Sequence, residues 1–171
     1  FQITQPEAGT VLVCGQTYDI GWTRKSATAL PTVKLEFFNG NNWSLIEGNA
    51  SNTGQYAGWP IPNTTISTQC KVRVVSPINQ NNNNESSPPF TIIGGINVTN
   101  PNTGNESWNV DGTYPIRWSF VGPITNVTIQ YNYNGTNPSD WMTIMTRAVA
   151  GSGGNGEWNW TINSSIPLST I

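Results

Sequence analysis

The sequence predicts an all-β protein made of two tandem immunoglobulin-like antiparallel β-sandwich domains, residues 1–93 and 94–171. Apolar residues alternate with polar ones over short runs, which is typical of half-buried strands. Turn-forming residues separate these runs and leave no interval long enough for a helix of useful length. A third observation, the same order of landmark residues in each half, predicts the number of domains.

The strands are predicted from alternation with a period of two residues. Tyr18, Ile20 and Trp22 alternate with smaller or more polar residues, so one face of this segment is apolar. The pairs Asn39-Gly40 and Asn134-Gly135 end such runs, and Asn-Gly favours the positive φ angles of a tight hairpin. Seven or so short strands in roughly 90 residues, each with one apolar and one polar face, favour an antiparallel sandwich.

The two halves repeat a proline, two glycines, a Tyr-x-Ile-x-Trp strand, a hairpin and further tryptophans. Tyr18-x-Ile20-x-Trp22 matches Tyr114-x-Ile116-x-Trp118, and Ile66 matches Ile166. The first half continues from Ile66 to residue 92, whereas the second half stops soon after Ile166. We therefore expect the second domain to lack its last two strands within this chain, which would leave an unpaired edge and an apolar face.

Several of these motifs occur together in a known family. Thr53-Gly54-Gln55-Tyr56, Trp59-Pro60-Ile61-Pro62, Cys70-Lys71-Val72-Arg73-Val74 and Pro89-Phe90-Thr91-Ile92 resemble the Kre9/Knh1-like extracellular module. That module is similar to those of Ser/Thr-rich GPI-anchored fungal wall proteins and, often in tandem, of secreted or surface proteins of prokaryotes. The resemblance covers residues 1–92 and the second half. It implies an extracellular sandwich used as a wall, stalk or accessory unit, with no catalytic site to carry over.

Composition excludes several functions. Charged residues make up 9 % of the chain, against about 25 % on average, and the net charge is -2. This charge gives no electrostatic footprint for nucleic acid or an anionic membrane. No stretch of eighteen apolar residues is present, so we expect no membrane span. Histidine is absent, which excludes Ser-His triads, and the nine acidic residues are spread singly. We expect no enzyme, no metal and no cofactor.

The two cysteines, Cys14 and Cys70, lie at predicted strand boundaries. A zinc site would need further His or Cys ligands. We therefore expect a structural disulfide formed in an oxidising compartment, which would stabilise the fold by about 4 kcal/mol.

The eight tryptophans have two interpretations, core packing and glycan binding. Trp22, Trp43 and Trp59 have counterparts at Trp118, Trp141 and Trp160, and their periodicity places all six in the core. Trp108 and Trp158 are less constrained. They are the candidates for a flat aromatic platform that would bind a glycan.

Asn-x-Ser/Thr sequons are the strongest local signal. Ten are present, at Asn42, Asn49, Asn63, Asn84, Asn97, Asn105, Asn126, Asn134, Asn159 and Asn163. Their predicted positions are turns or outward-facing strand residues, where a bulky glycan can point to solvent. The alternative is that an Asn/Thr-rich surface produces sequons as a by-product.

The leading hypothesis is a non-enzymatic, glycosylated structural protein, a repeating subunit of a cell-surface filament, wall or surface layer. If the chain ends near Ile171, a neighbouring copy could supply the missing strands, and Phe1, Gln2, Ile3, Thr4 and Gln5 are the candidate donor. Equally, the protein could continue past Ile171 and supply them itself. The alternative function is a carbohydrate-binding or adhesive accessory module of a secreted protein.

Overall fold

A computed structural model describes residues 1–23, 30–78, 83–85, 89–133, 138–149 and 151–166. The chain divides into two compact units, Phe1–Gly95 and Ile96–Ile171. Within the described residues every regular element is a β-strand, apart from one 3-10 turn at Pro138–Asp140. The protein is therefore all-β with several sheets, an architecture consistent with immunoglobulin-like or fibronectin III-like sandwich modules.

The described residues of the first unit form nine strands. They are β1 (Gln2–Gln5), β2 (Val11–Val13), β3 (Thr17–Thr23), β4 (Thr32–Phe38), β5 (Trp43–Ser51), β6 (Gln55–Pro60), β7 (Ser67–Val75), β8 (Asn83–Glu85) and β9 (Phe90–Ile93). One sheet has the order β1-β3-β6. The other has the order β2-β9-β7-β4-β5, with β8 also paired to β7. Among its described pairs, β2–β9 is parallel and the others are antiparallel.

Alternation along the strands of the first unit builds its core. Val33, Leu35 and Phe37 of β4 are buried, and the same parity on β7 buries Val72 and Val74. These strands pair antiparallel, with Leu35 opposite Val74 and Phe37 opposite Val72. Because both strands turn the same face inward, the apolar residues form one continuous layer.

The second unit contains five described strands. They are β10 (Gly95–Asn100), β11 (Thr113–Val121), β12 (Asn126–Asn132), β13 (Trp141–Ala148) and β14 (Gly153–Thr161). One sheet has the order β10-β11-β14, and β12 pairs antiparallel with β13. The buried cluster contains residues of β11 and β12, namely Ile116, Trp118, Phe120, Val127 and Ile129.

The two units share a turn before the strand that carries the Tyr-x-Ile-x-Trp motif. The amide of Gly15 donates to the Ile61 carbonyl at 3.0 Å, and the amide of Asp111 donates to the Ile162 carbonyl at 2.6 Å. Gly15 (φ 74°) and Asp111 (φ 65°) both have left-handed backbone conformations. Glycine adopts this conformation without steric cost, and aspartate tolerates it better than most residues. The two positions are therefore equivalent.

The expected Cys14–Cys70 disulfide is not formed in this structure, and both cysteines carry free, buried thiols. The Cys14 Sγ donates to the Thr65 carbonyl at 3.1 Å, and the Cys70 Sγ donates to the Ser67 carbonyl at 3.7 Å. Each sulfur is thus directed at a backbone oxygen. Val110 precedes Asp111 as Cys14 precedes Gly15, so an aliphatic side chain occupies the equivalent position in the second unit. Both cysteines act here as small apolar core residues.

We expect neither thiol to react with iodoacetamide in the folded protein at pH 8. Burial raises the pKa of both Cys14 and Cys70 above the ordinary value of 9.0, and the thiolate is the reactive form. Since the folded-state pKa is raised, the stability that the neutral thiols contribute is complete below pH 9 and is lost as the pH rises through the folded pKa. Mass spectrometry after denaturation without reductant should show both cysteines alkylated. If the cysteines are alkylated only after reduction, the Cys14–Cys70 disulfide expected from the sequence is present and the free-thiol interpretation is wrong.

Candidate functional site

The two units differ in the number of strands that pair with β4 and with its counterpart β12. In the first unit, β4 lies between β5 and β7. In the second unit, within the described residues, β12 is paired with β13 alone. Thr32 pairs with Ser51 as Asn126 pairs with Ala148, so β12 corresponds to β4. The segment Thr128–Asn132 therefore corresponds to Lys34–Phe38, the residues that β7 covers.

A mostly apolar cavity of about 410 Å³ lies along this strand. We call it the edge groove. It is lined by residues of all five strands of the second unit, including Val98, Ile116, Trp118, Ile129, Tyr131 and Trp160. An apolar face of the second domain was expected from its missing strands; that these strands are missing stays a prediction, and the groove is the apolar surface that the described residues show.

Strand β10 borders the edge groove with exposed apolar side chains. Ile96 is 52 % and Val98 48 % exposed. Their counterparts in the first unit, Phe1 and Ile3, are half-buried, because β1 also contacts β7 and β8. Sequence reasoning missed Ile96 and Val98, although their alternation with Asn97 and Thr99 was available as a signal.

Trp43 and its counterpart Trp141 show the same difference on the outer face of the hairpin. Trp43 was expected in the core, but it pairs with Phe38 on the opposite face from Phe37. There the guanidinium of Arg73, from β7, covers its ring at 4.1 Å. Trp141 pairs with Asn132 and is 53 % exposed. The core placement was therefore wrong for both Trp43 and Trp141. Among the described residues, Trp141 has no cover like the one that Arg73 of β7 gives Trp43.

Charge distinguishes the two hairpins. The Glu36 carboxylate binds the Lys34 ammonium and the Arg73 guanidinium, both at 2.5 Å. Burial opposes ionisation of Glu36, but these hydrogen bonds and charges outweigh it and lower its pKa. The equivalent residue of β12 is Gln130, whose amide donates to the Thr143 hydroxyl. A strand added to β12 therefore needs no positive charge on its outer face.

The candidate donor, Phe1–Gln5, already has a place in the first unit. Gln2–Gln5 forms β1, which pairs with β3 and lies at the end of its sheet. Ile3 pairs with Trp22 and Gln5 with Gly21, and the register shifts between these two pairs. To act as a donor this segment must leave β3, and its role as a donor stays a prediction.

The two residues of the candidate glycan platform, Trp108 and Trp158, are not in contact in the described structure. The Trp108 ring stacks on Tyr114 with centroids 4.9 Å apart and meets Trp160 edge-on at 6.1 Å. Trp108 therefore packs against the core of the second unit. Trp158 is exposed on β14, and no described ring contact links it to Trp108. The flat platform stays a prediction.

The sequon asparagines are exposed wherever their side chains are described. These eight residues are Asn42, Asn49, Asn63, Asn97, Asn105, Asn126, Asn159 and Asn163. The side chains of Asn84 and Asn134 lie outside the described residues. The exposed positions satisfy the steric requirement for an N-linked glycan.

Two further searches of the described residues gave no site. No helix among them is long and apolar enough to cross a membrane. No group of three or more His, Cys, Asp or Glu residues is placed to hold a metal ion in that part of the chain.

Comparison with known proteins gives a distant likeness. No protein family matches the chain, and no curated protein matches it. One matching solved structure is described as fibronectin(III)-like modules of Clostridium thermocellum CbhA. It is 19 % identical, with a TM-score of 0.33, and the match covers 94 % of this chain and 77 % of that one.

Proposed function

We propose that this protein is a non-enzymatic structural subunit that self-associates outside the cell by β-strand addition. The observation that carries the proposal is the edge of β12, which has no partner strand among the described residues and lies beside the edge groove. Open edges and apolar faces promote association, and natural sheets normally cover them. The resemblance to Kre9/Knh1-like modules supports the extracellular location. A filament, wall or surface layer is the assembly that follows.

The proposed donor is Phe1–Gln5 of a second copy. Phe1 and Ile3 alternate with Gln2 and Thr4, so a strand formed by this segment has one apolar and one polar face. Its side chains carry no charge, which suits the neutral outer face of β12 at Gln130. A β7-type strand with Lys and Arg would lack the partner that Glu36 provides in the first unit. Donation from one copy to the next does not close on itself and builds a fibre.

Covalent glycans are the second part of the proposal. Because charged residues make up only 9 % of the chain, its surface depends on neutral polar groups for hydration. Exposed sequons in both units support a glycan coat on the assembled subunits. Glycans at these positions would also limit contacts between copies at surfaces other than the proposed strand-addition interface at β12.

Electron microscopy and size-exclusion chromatography of the full chain test the proposal. We expect polymers from the intact chain and soluble monomers after deletion of residues 1–5. Because β1 also pairs with β3, the point variant Ile3→Lys should be tested beside the deletion, with Thr17→Lys, an exposed position outside the donor segment, as the control for added charge. Polymers of Ile3→Lys would exclude this donor. An intact protein that stays monomeric at all concentrations would overturn the proposal, as would a longer natural chain that fills its own groove.

A further inference from the structure

Three aromatic rings pack together in the core of the first unit. Phe37 of β4 and Trp59 of β6 have ring centroids 5.2 Å apart, and the ring of Phe90, on β9, lies 6.4 Å from each of them. Phe90 is fully buried, and Phe37 and Trp59 are each 3 % exposed. Centroid separations of this size are those of attractive aromatic pairs, so Phe90 is the ring that covers the other two.

The second unit repeats the first two of these rings. Tyr131 of β12 corresponds to Phe37 of β4 in the alignment of these two strands. Trp160 corresponds to Trp59, because each pairs with the tyrosine that opens the Tyr-x-Ile-x-Trp motif. The Tyr131 and Trp160 centroids are 5.1 Å apart, so this ring pair is built alike in both units.

The ring that covers the pair is the difference between the units. The ring contacts described for Tyr131 and Trp160 include no third ring that touches both. Both residues are half-buried, whereas Phe37 and Trp59 are buried, and both line the edge groove. The groove volume of about 410 Å³ lies in the range of sites that hold whole small molecules, so an aromatic side chain fits there.

Trp108 adds another aromatic wall to this space. It lies three residues before Asp111, as Leu12 lies three residues before Gly15, so it takes the place of a leucine. Its ring meets Trp160 edge-on at 6.1 Å, and Trp108 is itself among the residues that line the groove. A side chain that enters the groove beside Trp160 therefore meets aromatic faces on more than one side.

Strand β7 of the first unit is the template for the register of an added strand. It runs antiparallel to β4 and places Val72 and Val74 opposite two inward residues of that strand. The counterparts of these two residues on β12 are Tyr131 and Ile129. An added strand therefore needs two apolar side chains, two positions apart, at these places.

The proposed donor meets this requirement in one register. Phe1 lies opposite Tyr131 when Ile3 lies opposite Ile129, and both apolar side chains then face the groove. A shift by two residues would place the Gln5 amide opposite Ile129, where an apolar surface offers it no hydrogen bond.

We infer that Tyr131, Trp160 and Trp108 form a slot selective for an aromatic side chain, and that Phe1 of a second copy fills it. In the first unit β7 has a valine opposite Phe37, and Phe90 supplies the covering ring from the next strand. The larger Phe1 side chain would replace both. This inference rests on the proposed function, because it names the residue that gives the donor strand its register and selectivity.

Peptide titrations of the full chain, diluted until it is monomeric, test the inference. The peptides are Phe-Gln-Ile-Thr-Gln with a C-terminal amide and its analogues that begin with leucine or alanine. Burying a phenylalanine side chain changes affinity by about 10–100-fold, so the alanine peptide should bind more weakly by that factor. The leucine peptide keeps apolar burial but loses the ring contacts, so it should bind about three- to tenfold more weakly than the phenylalanine peptide.

The readouts are nuclear magnetic resonance and amide hydrogen exchange. The indole resonance of Trp160 in ¹⁵N-tryptophan-labelled chain should shift in a saturable manner with the phenylalanine peptide. The indole of Trp22, which donates to Asn52 in the first unit, serves as the internal reference and should not move. Amides of Thr128–Asn132 should become protected when a peptide adds to β12.

Tyr131→Phe and Tyr131→Leu are the matched variants of the slot. Tyr131→Phe keeps the ring, so it should keep the preference for the phenylalanine peptide over the leucine peptide. Tyr131→Leu should bind these two peptides with nearly equal affinity, and its binding of the leucine peptide shows that the variant is folded.

The outcomes separate this inference from the proposed function. Equal affinities of the phenylalanine and leucine peptides, with Thr128–Asn132 protected by both, would overturn the aromatic slot and leave strand addition in place. Failure of every peptide to bind, while the intact chain still forms polymers, would overturn the role of Phe1. If no peptide binds and the intact chain stays monomeric, the proposed function fails and the inference fails with it.

Discussion

Replacing Phe90 with alanine is expected to lower the free energy of unfolding of the first unit by about 3–5 kcal/mol. Phe90 is fully buried on β9, and its ring lies 6.4 Å from those of both Phe37 and Trp59. Truncation removes contacts with both sheets and leaves a cavity that the surrounding strands fill only in part. Urea denaturation followed by tryptophan fluorescence measures the change.

The matched control is Ile93→Ala on the same strand. Ile93 is exposed, so its truncation should change the free energy of unfolding by only about 0.5 kcal/mol. Similar losses for the two variants would contradict the assignment of β9 as the strand that closes the first core. The comparison matters because the second unit has no counterpart of β9 among its described strands.

The double variant Ile96→Lys and Val98→Lys is expected to abolish self-association while leaving the isolated chain folded. Both side chains are about half exposed, so lysine costs little in the monomer. In the proposed assembly the added strand would cover these positions, and burying two unpaired ammonium groups there would cost several kcal/mol. Analytical ultracentrifugation should find monomers at concentrations at which the parent chain forms polymers.

Leu45→Lys is the control for added charge. Leu45 is an exposed leucine of the first unit and is not among the residues that line the edge groove. It should leave self-association unchanged within about twofold. Polymers of the double variant that match the parent in yield and shape would place the contact elsewhere. Loss of polymers in Leu45→Lys as well would indicate a general charge effect.

Alternation was a reliable guide to the strands. The prediction from Tyr18, Ile20 and Trp22 is confirmed, because Ile20 and Trp22 are buried and all three lie on β3. Period two works here because each strand has one face on the core and the other on solvent. The all-β architecture follows from the same pattern.

The partners of individual side chains were not readable from the sequence. Alternation places Trp22 and Trp118 alike in the core, but only the three-dimensional register places Asn52 beside one and Val149 beside the other. Trp43 was misplaced because it pairs with Phe38, on the face opposite to buried Phe37, and the pairing register is not readable from the sequence. The thiol directions at Cys14 and Cys70 likewise depend on local backbone geometry.

The edge groove was predicted only in outline. The early stop of the second repeat led us to expect an unpaired edge and an apolar face in the second domain. It did not identify Thr128–Asn132 as the open edge, because strand order in a sheet is a property of the fold. Nor did it indicate that Gln2–Gln5 pairs with β3, because an apolar alternation does not specify its partner strand.

Amide hydrogen exchange across Thr128–Asn132 tests the central claim most directly. Alternate amides of an open edge exchange with solvent, whereas those of a paired strand are protected. We expect these amides to exchange rapidly in dilute monomers and to become as slow in polymers as those of Lys34–Phe38, which β7 already covers. Equal amide exchange rates in monomers and polymers, whether fast in both or slow in both, would contradict strand addition at β12.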